Sequence, residues 1–211
     1  MEGEATLSKV LFLLRDGKEQ EAADAITLAG NWGMWRSANI LSVVYEKFSD
    51  MEILYRCIID TYMGDGYNFP KRVMIKAKKI SHCISQGERL GDLLPGDLIT
   101  VYRAANTPIS KVHNDISWTT EKNVAVWFAN RGSYFSDGKI TLLHVYQGQI
   151  QREKIIAFTN DRNEYEVIQH SSVKNIVELP ITEVDIKAAM EWKMLRHNQE
   201  AEGGQRENID E

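Results

Sequence analysis

The sequence predicts an α+β fold in which a helical segment precedes a region of short strands. Up to about residue 90, apolar residues recur at intervals of three and four, which is the period of amphipathic helices. After the turn-forming residues GDLLPGD, they occur instead in short runs rich in β-branched and aromatic side chains. With 43% hydrophobic and 26% charged residues, the chain has the composition of a globular protein. It is therefore predicted to bury a core and not to be disordered.

Residues 1–92 are predicted to form the helical segment. The helical pattern of apolar residues appears within residues 7–14, 40–48, 54–61 and 73–84. Glycine and proline between these stretches suit the end of one helix and the first turn of the next. A bundle or cap of helices is expected here.

Residues 93–198 are predicted to form the strand-rich core, interrupted by one helix in EKNVAVWFANR. A last helix is expected to begin at Thr182, because Asp185 follows three residues later, as in a capping box. The final stretch, 199–211, holds five acidic side chains and one basic side chain and is predicted to be a disordered acidic tail.

Charge and cysteine content restrict the protein class. The net charge of -5 comes from 25 basic and 30 acidic residues, and the chain without its acidic tail is close to neutral. With only Cys57 and Cys83, a disulfide framework is excluded, and a reducing cytoplasm is the predicted location. No apolar run approaches the ~20 residues that span a bilayer, and the acidic start does not resemble a secretory signal. No membrane partner is expected.

Common cofactor and metal motifs are missing from the sequence. It contains neither GxGxxG nor GxxxxGK[ST], so neither a dinucleotide-binding Rossmann turn nor a P-loop is predicted. The five histidines are scattered without HxxxH spacing, and there is no CxxC, so no metal site is expected.

Polar residues in three strand-rich segments form the main candidate site. Arg103 stands in VYRA, Ser117 and Thr119 stand in SWTT before the predicted helix, and Glu164 and Glu166 flank a tyrosine in NEYEVI. Each has an ordinary structural explanation, as a surface ion pair, a helix cap or a solvated face. Their order and context together favour a shared functional site.

This arrangement resembles the R-S-E class of mono-ADP-ribosyltransferases, in its arginine-type E-x-E variant, which includes prokaryotic and phage toxins. The resemblance covers roughly residues 97 to 180, and Ala104 stands where many members carry glycine. It implies that the core is an ADP-ribosyltransferase-like split β-sandwich of short, mostly antiparallel strands. It also implies that NAD is the co-substrate and that nicotinamide is released.

The residue types suit chemistry on NAD. A guanidinium such as that of Arg103 binds a pyrophosphate with charge-assisted hydrogen bonds. Breaking the nicotinamide–ribose bond develops positive charge on the sugar, which a carboxylate stabilises. The resemblance assigns that carboxylate to Glu166, with Ser117 positioning it and Thr119 bracing the site.

Two residues of the predicted helix are further candidates. Phe128 is expected to line the nicotinamide pocket, with core packing as the alternative. Arg131 is expected to reach a phosphate, and its alternative role is a cation that the macrodipole favours at the end of a helix.

For the acceptor, the resemblance implies an arginine of a target protein. Glu164 would act as the base, because guanidinium is protonated at ordinary pH. Phe158 and Arg162 are expected to contact the acceptor.

A nucleic-acid acceptor is the main alternative, with the basic cluster Lys71–Lys79 contacting phosphates. An inactive NAD-fold binding module, and a partner that is an inhibitor or antitoxin, also stay open. The enzyme is expected to act in the cytosol of a host or target cell.

Overall fold

A computed structural model describes residues 2–29, 36–65, 69–81, 90, 93–131, 134–136, 139–141, 143–160 and 163–206. The chain divides into two compact units, Met1–Arg89 and Leu90–Glu211, so the division falls three residues before the predicted boundary. The first unit is helical and the second combines a sheet with helices. The predicted α+β class is confirmed. None of the described helices has the length and apolarity needed to cross a membrane.

The first unit packs its helices around an apolar core. A short 3-10 turn, Tyr45–Lys47, follows the third helix. Fully buried side chains come from each of the five described helices. The periodicity predicts four of these helices and misses the one at Glu19–Ala29. The helices are α1 (Glu2–Arg15), α2 (Glu19–Ala29), α3 (Arg36–Val44), α4 (Met51–Asp65) and α5 (Lys71–Ser81).

Helix α5 carries the predicted basic cluster on its outer side. Its inner side buries four apolar residues, Val73, Met74, Ala77 and Ile80. The basic residues between them therefore lie along the opposite side, where Lys71, Arg72 and Lys79 are exposed and Lys76 and Lys78 are half-buried.

The second unit is built on a six-stranded antiparallel sheet with the strand order β6-β7-β2-β1-β5-β8. Strands β3 and β4 form a separate antiparallel pair. The strands are β1 (Leu98–Ala105), β2 (Ser117–Thr119), β3 (Tyr134–Ser136), β4 (Lys139–Thr141), β5 (His144–Gln151), β6 (Ala157–Thr159), β7 (Glu166–Ile168) and β8 (Lys174–Leu179). The helices are α6 (Ile109–Val112), α7 (Lys122–Arg131) and α8 (Glu183–Arg206), and a 3-10 turn covers Arg152–Lys154.

The two faces of the sheet have different coverings. On one face, Tyr102 and Val145 pack against α7 and α8 through Ala125, Ala129 and Ala189. The residues next to them in each strand lie on the other face, because successive side chains of a strand point to opposite sides. That second face contributes to a core that includes Val101, Trp118, Tyr146, Ile150 and Val167. The candidate site can therefore be assigned to a face from the strand register.

The last helix begins as predicted and ends later than predicted. The Thr182 hydroxyl accepts a hydrogen bond from the Asp185 backbone N–H (3.2 Å), and Asp185 Oδ2 accepts one from the Thr182 N–H (3.0 Å). This reciprocal pair is the capping box. The helix continues to Arg206, beyond the predicted end of the folded core at residue 198, and residues 207–211 lie outside the described part. Glu, Gln and Ala of this stretch favour helix, whereas Gly203 and Gly204 do not, and the added turns extend an existing helix, which needs no new nucleus.

Asp185 also anchors α8 to α7, and acid is expected to weaken this anchor. The hydrogen bond from Lys122 Nζ (2.7 Å), followed by those from Thr182, lowers the pKa of Asp185 below its ordinary value. A carboxyl whose pKa is lower when folded stabilises above its unfolded pKa, and the contribution is lost as the pH falls through the folded pKa. We expect Asp185→Asn to lower stability at neutral pH and to weaken the dependence of stability on acid.

Urea unfolding at a series of pH values between neutral and strongly acidic measures this effect. Glu191→Gln is the control. The Glu191 carboxylate lies on the same helix and forms a long, exposed ion pair with Lys187 Nζ (3.9 Å), which contributes little to stability. Equal acid dependence for wild type and Asp185→Asn would contradict the anchoring role.

Candidate functional site

Three neighbouring strands, β7, β2 and β1, bring the predicted motif residues together. In the register, Thr119 is directly opposite Glu166 on β7 and directly opposite Tyr102 on β1. Directly opposed residues of antiparallel strands share a face, with Cβ atoms about 4.5–5.5 Å apart. Thr119 and Glu166 are 6% and 7% exposed, so the pair is buried. Tyr102 places this pair on the face that packs against α7 and α8.

Thr119 connects the acidic segment to the start of α7. Its hydroxyl donates a hydrogen bond to the Glu164 carbonyl oxygen (2.7 Å) and accepts one from the Glu121 backbone N–H (3.0 Å). The Thr120 N–H donates to the Tyr165 carbonyl oxygen (3.1 Å). The E-Y-E segment is therefore held at two consecutive carbonyls before β7 begins.

The backbone of the acidic segment is turned before it enters the strand. Asn163 and Tyr165 have φ values of 53° and 47°, in the left-handed region, which costs a non-glycine residue about 1–2 kcal/mol. Asn160 stabilises this turn, because its side-chain oxygen accepts a hydrogen bond from the Tyr165 N–H (3.2 Å). Since Tyr165 is not extended, strand alternation does not place Glu164 beside Glu166. Glu164 is half-buried, whereas Glu166 is buried.

Arg103 approaches the motif from the other face of the sheet. Its register partner is Tyr146, which belongs to the core opposite α7 and α8. Arg103 Nε donates to Asp115 Oδ2 (2.7 Å), and Nη1 donates to the Ser117 carbonyl oxygen. Nη2 has no hydrogen-bond partner among the described residues. The guanidinium is fixed to the segment that starts β2 and still has donors for an anion.

Asp115 is a site residue that the sequence analysis missed. Its carbonyl oxygen accepts hydrogen bonds from Trp118 Nε1 (3.0 Å) and from Gln169 Nε2. Gln169 is fully buried, and its side-chain oxygen accepts a bond from the Ser172 N–H (2.7 Å). The carbonyl and the carboxylate of Asp115 thus both make hydrogen bonds, and the carboxylate orients Arg103. The available signal was a carboxylate two residues before Ser117, in the same segment as the motif.

The other predicted residues lie in three different environments. Ser117 is half-buried at the start of β2 and shares the face of Thr119. Phe128 is half-buried, and its ring makes an edge contact with Trp127, centroid to centroid 4.9 Å. The exposed Arg131 guanidinium lies 4.9 Å from the centroid of the Trp127 ring.

Of the two predicted acceptor contacts, one is placed away from this site and the other is not described. Phe158 is opposite Val167 and packs against the core of the second face, away from Glu166. Arg162 lies outside the described residues. The structure therefore assembles Ser117, Thr119 and the acidic segment, with Arg103 attached from the neighbouring strand.

No group of three His, Cys, Asp or Glu side chains that could hold a metal ion occurs in the described part of the chain. Comparisons with protein-family models, with curated proteins and with solved structures find no significant match to this chain. The geometry on β1, β2 and β7 is therefore the basis of the functional proposal.

Proposed function

We propose that this chain is an NAD-dependent mono-ADP-ribosyltransferase that transfers ADP-ribose from NAD to an arginine of a target protein and releases nicotinamide. The observation that carries the proposal is the direct opposition of Thr119 and Glu166 on antiparallel strands, with Arg103 on the next strand. Thr119 and Glu166, which are far apart in sequence, thus meet on one face of the sheet, and Arg103 is joined to the start of β2 from the other face. The order of the three motifs along the chain is the one that the resemblance to the R-S-E class implies. For the second unit we propose the split β-sandwich of that class.

Glu166 is proposed to stabilise the transition state of NAD cleavage. The bond between ribose C1′ and the nicotinamide nitrogen breaks, and its electron pair leaves with nicotinamide. Positive charge then develops on the sugar, as in glycoside hydrolysis. A buried carboxylate acts on that charge in a medium of low dielectric, where a fixed charge is most effective. The burial of Glu166 supports this role.

Arg103 is proposed to bind the NAD pyrophosphate. Asp115 and the Ser117 carbonyl hold its Nε and Nη1. Its remaining donors would bind the pyrophosphate. Such charge-assisted bonds are about twice as strong as neutral ones. Ser117 and Thr119 share the face of Glu166 and would position the sugar and the carboxylate.

Glu164 is proposed to serve the acceptor. An arginine attacks C1′ through a guanidinium nitrogen, and the proton that this nitrogen loses passes to the Glu164 carboxylate. The greater exposure of Glu164 compared with Glu166 supports this division, because the acceptor arrives from outside. The hydrogen bond from the Thr119 hydroxyl to the Glu164 carbonyl also fixes the backbone of Glu164.

A nucleic-acid acceptor is the second candidate function. It is favoured by α5, whose basic side includes exposed Lys71, Arg72 and Lys79. Phosphate contacts of this kind would make the affinity depend steeply on salt.

Labelled NAD incubated with wild type or Glu166→Gln in a cell lysate tests the function and the acceptor. We expect label to be incorporated only by wild type and to be removed by protease. Removal by nuclease would move the acceptor to nucleic acid. With neither label nor free nicotinamide in several lysates, the inactive binding module would replace the proposed enzyme.

Asp115→Asn is expected to raise the KM for NAD about tenfold, with kcat changed less than about threefold. The variant removes the charge that orients Arg103, and hydrogen bonds to charged groups contribute about 1.5–3 kcal/mol. Steady-state nicotinamide release at varied NAD concentration measures both constants. Asp97→Asn is the matched control, because Asp97 pairs with Arg152 at 3.2 Å on the surface of the same unit. An unchanged KM in Asp115→Asn would contradict the positioning role.

A further inference from the structure

Two tryptophan–arginine pairs lie on neighbouring helices of the second unit. Trp127 and Arg131 on α7, and Trp192 and Arg196 on α8, each have the i, i+4 spacing that places side chains together on a helix. Helices α7 and α8 also pack against each other. We call Trp127, Arg131, Tyr165, Trp192, Lys193 and Arg196 the cation–aromatic surface.

The rings of this surface hold its cations in place. The Arg131 guanidinium and the Lys193 ammonium lie 4.9 Å and 5.1 Å from the centroid of the Trp127 ring. The Arg196 guanidinium lies 5.6 Å from the Trp192 centroid and 5.8 Å from that of Tyr165. These distances are those of cation–π contacts, which restrain long side chains that would otherwise be flexible. Binding an anion then costs less side-chain entropy.

The three cations have no carboxylate partner among the described side chains. Elsewhere in the same unit, basic residues do form such pairs, for instance Lys122 with Asp185 at 2.7 Å. Arg131, Lys193 and Arg196 are also at least partly exposed. These three cations are therefore accessible to an anionic partner.

Tyr165 joins this surface to the acidic segment. It stands between Glu164 and Glu166 in sequence, and its ring lies 6.4 Å from that of Trp192, centroid to centroid. An acceptor that reaches Glu164 thus comes close to Arg196. A lone arginine would be repelled there by Arg196, and more strongly where water is excluded. An anionic group next to that arginine reverses the effect.

We propose that the cation–aromatic surface binds an acidic segment of the target protein, next to the arginine that receives ADP-ribose. This inference rests on the proposed function and adds a specificity determinant to it. Glu164 would take the arginine of the acceptor, and Lys193 and Arg196 would take the carboxylates beside it.

Charge and ring geometry favour an acidic peptide over a nucleic acid at this surface. The second unit carries 13 basic and 18 acidic residues, so a long polyanion is repelled by the unit as a whole. Binding of single strands also relies on bases stacking on open aromatic faces. Here cations already lie over Trp127, Trp192 and Tyr165. A short acidic segment uses the cations without needing those faces.

Two fluorescent peptides, identical except that one has glutamates and the other glutamines beside a single arginine, test the proposal. Binding is measured by fluorescence polarisation without NAD, so the result does not depend on catalysis. We expect wild type to bind the glutamate peptide at least about tenfold more tightly, and about 0.5 M salt to remove most of this preference. Lys193→Gln/Arg196→Gln should abolish the preference. Lys174→Gln/Lys187→Gln, with the same charge change at exposed positions of the same unit, should retain it.

Transfer to the peptides then connects the surface to the reaction. With NAD present, we expect the glutamate peptide to be modified at least about tenfold faster than the glutamine peptide, and Lys193→Gln/Arg196→Gln to lose this advantage. Hydrolysis of NAD without peptide should be equal in wild type and this variant.

Equal binding of both peptides by wild type would overturn the inference, as would displacement of the glutamate peptide by a single-stranded oligonucleotide at lower concentration. Preferential binding without any NAD consumption would support the surface and contradict the proposed function.

Discussion

Glu166→Gln is expected to lower the rate of nicotinamide release from NAD by about 10²–10³-fold, the usual effect of removing one electrostatic contact to a transition state. The substitution preserves size and removes the charge at a buried position directly opposite Thr119. Because the charge is needed when the sugar becomes positive, NAD binding should change little. Single-turnover release of nicotinamide and calorimetric titration with NAD measure the two quantities separately.

Two other glutamates serve as comparisons for this variant. Glu153→Gln removes an exposed carboxylate paired with Lys154 on the same unit and should leave the rate unchanged. Glu164→Gln should reduce transfer to a protein more than it reduces hydrolysis of NAD, because its proposed partner is the acceptor. If Glu164→Gln and Glu166→Gln lose both activities equally, the proposed division of roles is wrong.

Trp118→Ala is expected to lower the free energy of unfolding by about 3–5 kcal/mol, as for other large aromatic residues removed from a core. Trp118 is 1% exposed and packs with the strands of the second face. It also donates from Nε1 to the Asp115 carbonyl, so the substitution leaves a cavity and removes one of the two hydrogen bonds that hold the residue that orients Arg103. Urea unfolding followed by circular dichroism measures the loss.

Trp118→Phe separates packing from the hydrogen bond. It retains most of the ring and removes the Nε1–H donor, while the Asp115 carbonyl keeps its hydrogen bond from Gln169. A loss of about 1–3 kcal/mol is expected for the missing hydrogen bond and the smaller ring. If Trp118→Ala destabilised the chain by less than about 1 kcal/mol, the structural account of β2 would be contradicted.

Local patterns in the sequence predicted those features that depend on neighbouring residues. Helical periodicity located α1, α3, α4 and α5 of the first unit but not α2. The Thr182–Asp185 spacing located the start of α8. Runs rich in β-branched and aromatic side chains indicated the strands near Arg103 and Glu166. These signals arise within one turn or one strand, and therefore do not require knowledge of the fold.

Features that depend on strand register could not be read in the same way. The face occupied by Arg103 follows from pairing with Tyr146 on β5, many residues away. Asp115 became a site residue only through its contacts with Arg103 and Gln169. Phe158 was assigned to an acceptor loop, but its pairing with Val167 places it against the core.

The cation–aromatic surface combines a feature visible in the sequence with one that depends on tertiary structure. The i, i+4 spacing of Trp127 with Arg131 and of Trp192 with Arg196 is visible in the sequence. The approach of Tyr165 to Trp192 is not, because it requires the left-handed turn at Tyr165 and the packing of α8 against α7. Only tertiary structure relates this surface to Glu164.

A mass balance of NAD with the purified chain tests the proposed transfer reaction. Chromatography would quantify NAD, nicotinamide, free ADP-ribose and protein-bound ADP-ribose after incubation with an arginine-containing acceptor. The proposed function predicts that nicotinamide appears in an amount equal to free plus bound ADP-ribose, and that Glu166→Gln forms almost none. Intact NAD after prolonged incubation with wild type and a range of acceptors, or cleavage that Glu166→Gln performs at the wild-type rate, would contradict it.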